Sequence, residues 1–122
     1  MANNVLAPPS QNVLAQEGYR PQKHVRGKTY GKREDGSPKG VGWLGMVPRK
    51  NGKGVSTELS MGIQMDGKEV LLPLMVPTLT QQELDYLVNE TTGIHDVPET
   101  IKRKAIDHGM MQMRKGQSPF FD

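Results

Sequence analysis

The dipeptide Asp66-Gly67 constrains the fold of this chain more than any other feature of its sequence. Asp-Gly flanked by apolar-polar alternation is the signature of a two-residue I′ hairpin turn. Upstream, Val55 to Met65 alternates apolar and polar residues with few lapses, the mark of a half-buried strand. Downstream stands Val70-Leu71-Leu72-Pro73-Leu74. If Asp66 and Gly67 form the loop, Met65 lies opposite Lys68, Ile63 opposite Val70, Met61 opposite Leu72 and Leu59 opposite Leu74. The last three pairs are apolar on both sides. A slip of one residue would set Ile63 against Leu71 and send half of the apolar residues to the wrong face.

A second turn signal, Asn51-Gly52, treated the same way sets Leu44 opposite Leu59 and Met46 opposite Thr57. The expectation is a three-stranded antiparallel meander over 43–47, 55–65 and 68–74. Pro73, which lacks an N–H, marks the third strand as an edge or as its end. Two helices should follow. Thr80 and Glu83 form a capping box, with Leu79 and Leu84 as its hydrophobic staple, starting a helix over 81–89 that turns Leu84, Leu87 and Val88 to one side. Pro98 and Glu99 suit the first turn of a helix over 98–115. Its apolar stripe is Ile101, Ala105, Ile106, Gly109, Met110 and Met113, and Gly116 is its stop. Two helices packed on one face of a small sheet give an α+β fold.

The front of the chain reads differently. Residues 1–40 show no sustained period, and the pairs Val5-Leu6 and Val13-Leu14 are isolated among Asn, Gln, Pro and Ser. Such a stretch buries too little surface to offset its ordering entropy, so the expectation is an extended arm, ordered when bound, ahead of a domain over 41–122. Charge divides the chain as well. From Arg20 to Lys53 there are ten Lys or Arg against Glu34 and Asp35, whereas Val55 to Asp122 holds six bases and ten acids.

The chemistry-bearing residues point away from catalysis. With Cys 0 there is no thiolate nucleophile and no zinc knuckle. His24, His95 and His108 fit no metal-ligand spacing. Glu83 is accounted for by capping, Asp66 by its turn, Glu34-Asp35 by the turn at Gly36, and Glu58 and Glu69 by polar strand faces, which leaves no general acid. Gly40 to Gly45 is glycine-rich but lacks the following helix that a phosphate cradle needs. The reading is a non-enzymatic protein with no cofactor, no metal and no small-molecule substrate. No run of about 18 apolar residues is present to cross a membrane, and the start is not that of a secretory leader. The basic segment, interleaved with Tyr19, Tyr30 and Trp43, could follow a phosphate backbone and stack bases, or dock on an acidic protein surface. Met61, Met65, Met75, Met110, Met111 and Met113 read as core filler, with some thioether surface left beside Phe120-Phe121.

Three stretches carry a resemblance. They run from Asp35-Gly36 through Pro38-Lys39-Gly40 and Gly42-Trp43-Leu44-Gly45, then Ser56-Thr57-Glu58-Leu59-Ser60 with Asp66 to Glu69 and Leu74 to Thr80, and finally Ile101 to Lys104, Met113 to Gly116 and Ser118-Pro119-Phe120. Over roughly residues 35–120 the chain is similar to a small module encoded by tailed bacteriophages, found alone or within virion proteins that include those ejected with the genome. The resemblance implies a virion structural protein, portal- or tail-associated or internal, docked on other virion proteins in multiple copies, and located in the virion after assembly in the host cytoplasm. It supplies no catalytic residues. The docking residues expected from the arm are Arg20, Lys23, Arg26, Tyr30, Lys32 and Arg33, with Phe120 and Phe121 from the tail. The alternative reading is a small phage-encoded nucleic-acid-binding or host-interaction protein.

Overall fold

The computed structural model describes residues 13–21, 30–33, 35–50, 54–91 and 94–121. In chain order these form α1 (Val13–Gln16), β1 (Val47–Pro48), β2 (Val55–Ser56), β3 (Ser60–Met65), β4 (Lys68–Pro73), α2 (Gln81–Glu90), a 3₁₀ turn (Ile94–Asp96) and α3 (Glu99–Arg114). The fold is α+β, but the sheet is not a three-stranded meander. β1 pairs only with β2 and β3 only with β4, giving two antiparallel two-stranded sheets.

The β3–β4 hairpin has the register set by its turn, with Met61 opposite Leu72, Ile63 opposite Val70 and Met65 opposite Lys68. Asp66 and Gly67 both take positive φ (51° and 80°), as an I′ turn demands. The first sheet also keeps the register expected of it: Val47 lies opposite Ser56 and Pro48 opposite Val55, while Arg49 N–H donates to Gly54 O. The Asn51-Gly52 turn itself lies outside the described residues.

The meander fails in its first and second strands. Gly42 and Gly45 sit at φ 79° and 75°, so residues 42–45 make a tight turn instead of the expected strand over 43–47. The run 55–65 breaks between Ser56 and Ser60, because Ser56, Thr57 and Glu58 are buried in succession and strand alternation cannot bury three neighbours. At this break a Cβ on Gly42 would lie 1.9 Å from Thr57 O, so only glycine permits the close approach of the two backbones.

The helices form as their caps dictate. Thr80 Oγ1 accepts from Glu83 N–H and Glu83 Oε1 accepts from Thr80 N–H, completing the capping box of α2. Leu79 and Leu84, the staple, are both fully buried. α3 ends in a Schellman motif: Gly116 N–H donates to Met113 O and Gln117 N–H to Gln112 O, with Gly116 at φ 74°. α3 packs on β4 at Gly109, where an added Cβ would stand 2.6 Å from a Leu72 methyl. Lys104 of α3 reaches Glu83 at 2.6 Å and ties the two helices together. One core joins Leu44, Val47, Met61, Leu72, Leu74, Met75, Leu79, Leu84, Leu87, Ile101 and Ala105. Of the back-half methionines, Met61 and Met75 are buried and the other four are half-buried.

Two described segments before residue 41 make contacts of their own. Leu14 is fully buried in the common core, and Tyr19 packs against it while its hydroxyl accepts from Gln81 Nε2. Burying one leucine contributes on the order of 2 kcal/mol toward holding this segment, and the Tyr19 contacts add to it. Residues 31–39 fold back on themselves: Lys32 bridges Pro38, Arg33 N–H donates to Ser37 O, and Lys39 N–H donates to Gly31 O. Asp35 closes this loop by accepting from Ser37 N–H and Ser37 Oγ, which lowers its carboxyl pKa.

Candidate functional site

The polar side chains of greatest chemical interest meet at one junction between the 31–40 loop, the break at 57–59, α3 and the C-terminal tail. Glu58 is only 2% exposed, contrary to its expected place on a polar strand face. Its Oε1 accepts from Arg33 Nε at 2.5 Å; its Oε2 accepts from Arg33 Nη2 at 3.0 Å and from Gly40 N–H at 3.1 Å. The Arg33 guanidinium in turn lies 3.9 Å from the centre of the Phe120 ring. The planar cation is therefore held edge-on by a carboxylate and face-on by an aromatic ring, as arginine geometry allows and lysine geometry does not.

Trp43 is the second centre of the junction. Its Nε1–H donates to Pro119 O at 3.0 Å, and its ring meets Phe121 and His108 edge-on at 5.0 and 4.8 Å. His108 lies on the buried side of α3 with Ile101, Ala105, Gly109 and Gln112. Burial, helped by the nearby Lys115 charge, pushes its pKa down to about 4, so the imidazole is neutral near pH 7. Its Nδ1 is buried without a hydrogen-bond partner. Near pH 7 the ring therefore carries a single N–H and no charge.

The eight expected docking residues fall into three sets. Arg33, Phe120 and Phe121 come together at this junction, where Arg33 and Phe120 are committed to internal contacts and Phe121 is half-buried against Trp43. Arg20 and Lys32 are exposed and Tyr30 is half-buried. Lys23 and Arg26 lie outside the described residues, as does His24. Sequence reading missed Glu58 as a buried partner, since nothing local pairs it with an arginine 25 residues upstream. It also left His108 off the apolar stripe, although the 101–105–108–109–112 spacing signals that position.

The arrangement binds distant segments of one chain to each other. Every acceptor position of Glu58 that faces a donor is filled from within the molecule, and removing one partner would leave an uncompensated buried charge. Among the described residues no three His, Cys, Asp or Glu side chains gather closely enough to hold a metal ion. No described helix is long and apolar enough to cross a membrane. The chain matches no family model, and neither a curated protein nor a solved structure is similar to it.

Proposed function

We propose that this chain is a non-enzymatic structural protein of a tailed-bacteriophage virion, a portal- or tail-associated or internal accessory component that docks on other virion proteins. The observation that supports this reading is where the resemblance motifs converge. Gly40 with Trp43, Glu58, and Pro119-Phe120 come from three distant stretches, and they meet at the junction with Arg33. Residues consumed in binding segments of one chain to each other suit a module kept for its shape. Docking then falls to Arg20 and Lys32, both exposed, with Lys23, Arg26 and Tyr30 between them in the sequence. Arg33 and Phe120 hold the module itself.

The test is quantitative mass spectrometry of purified particles with the infected-cell lysate alongside. Co-purification at a fixed copy number is the expected result, and absence from the particles overturns the reading. The density of Lys and Arg between residues 20 and 53 favours one second reading, a nucleic-acid-binding protein. Phosphate neutralisation would then make affinity fall steeply with ionic strength.

A further inference from the structure

The main chain of β3 faces two ways. Leu74 N–H donates to Leu59 O at 2.5 Å, and the ladder continues through Met61–Leu72, Ile63–Val70 and Met65–Lys68. Antiparallel pairs alternate between those that exchange main-chain bonds and those that do not, so Ser60, Gly62 and Gln64 turn their N–H and C=O groups away from β4. Among the described residues nothing takes those groups up. Gly62 and Gln64 are exposed.

Open strand edges are usually guarded by a charge, a proline or a bulge. β4 has all but the last: Lys68 and Glu69 are charged and Pro73 has no N–H to offer. β3, Ser-Met-Gly-Ile-Gln-Met, has none of these. Beneath it, Leu59, Ile63 and Val70 pack on the core while remaining half-buried.

We propose that the outer edge of β3 is a self-association surface, on which a second copy of this chain lays its own β3 antiparallel about a two-fold axis through Gly62. The axis sets Ser60 opposite Gln64 of the second copy and Gly62 opposite Gly62. On the core-facing side it sets Met61 opposite Ile63 and Leu59 opposite Met65. Every pair is thus apolar with apolar or uncharged with uncharged, and no charge meets its like. Gly62 permits the closest approach at the axis. The Glu69 carboxylate that leans over Gly62 belongs to an exposed, flexible side chain and can swing clear. A neutral, self-complementary edge fits a second copy better than a charged partner, and the two hairpins become one four-stranded sheet with continuous cover for Ile63 and Val70. This inference stands independently of the virion reading.

Sedimentation of the full chain across roughly 10 to 500 μM, the range a small interface needs, tests it. The unaltered chain should pass from monomer to dimer. Ser60→Lys with Gln64→Lys brings like charges together twice and should weaken association at least tenfold; Ser60→Glu with Gln64→Glu should do the same. Mixing the two altered chains should restore a dimer, while circular dichroism verifies that each is folded. A chain that stays monomeric over the whole range overturns the proposal. So does a dimer that both double substitutions leave intact, or a mixture of the two altered chains that remains monomeric.

Discussion

The β3–β4 hairpin and the Arg33–Glu58–Trp43 junction are built by opposite routes. In the hairpin every paired residue lies within 13 positions of its partner, from Ser60 to Pro73, and one dipeptide sets all the pairings. The junction joins residues 25 positions apart at Arg33–Glu58 and 76 apart at Trp43–Pro119. Arg33 lies in a stretch that lacks a period of its own, and Glu58 in a run whose alternation assigns it to the outer face. Where contacts are local, the turn chemistry carries the information. Where they are distant, a buried charge and its partner have to find one another, and each is unremarkable in the sequence until they meet.

The comparison breaks most sharply at Glu58. Glu58→Ala leaves the Arg33 guanidinium and Gly40 N–H buried without their acceptor and should cost about 3–5 kcal/mol, measured by urea unfolding. Replacing Arg33 and Glu58 together with leucine should recover most of that loss, because an apolar pair of similar volume has no charge to desolvate. A double variant as unstable as Glu58→Ala would mean that the ion pair itself, and not its completeness, sustains the junction.

The next effect is set by pH. His108 titrates at about 4 in the folded chain against an ordinary 6.5, so between those values the unfolded chain binds the extra proton and stability rises with pH. Lowering pH from 6.5 to 4 should remove up to about 3 kcal/mol through this group, with no further loss below. Glu83, whose carboxyl burial raises but Lys104 and the Thr80 N–H bring below its usual value, also loses stabilisation as pH falls. The measurement is therefore the difference between the unaltered chain and His108→Leu. The variant should show a flatter stability profile between pH 4 and 6.5, and equal slopes would remove His108 from the account.

The smallest effect sharpens the hairpin side. A side chain on Gly67 meets nothing within 4 Å, so Gly67→Ala pays only for its positive φ, about 1 kcal/mol by thermal unfolding. A loss of several kcal/mol there would mean that the hairpin depends on more than its turn.

How much of this was legible follows the same division. The I′ turn, both registers, the capping box, its staple and the glycine stop of α3 rest on residues within a few positions of each other, and each formed where the local pattern placed it. The three-stranded sheet did not form. Alternation through Val55 to Met65 concealed that Glu58 turns inward, and Trp43-Leu44 read as strand because the positive φ of Gly42 and Gly45 leaves no apolar signature. Leu14 looked like a stray apolar residue because the core it joins is assembled from residues thirty and more positions further along the chain. Arg33 and Phe120 were singled out for docking on other proteins; their contacts seen here lie within this chain, Arg33 with Glu58 and Phe120 with Arg33.

The chain contains one tryptophan, and that residue sits at the junction, its indole N–H on Pro119 O and its ring edge against Phe121 and His108. Its fluorescence is therefore a private signal of the junction and is blind to the hairpin. Emission that shifts before the helical dichroism is lost would report the 31–40 loop and the tail parting from a body still folded; coincident curves would make loop, tail and body one cooperative unit.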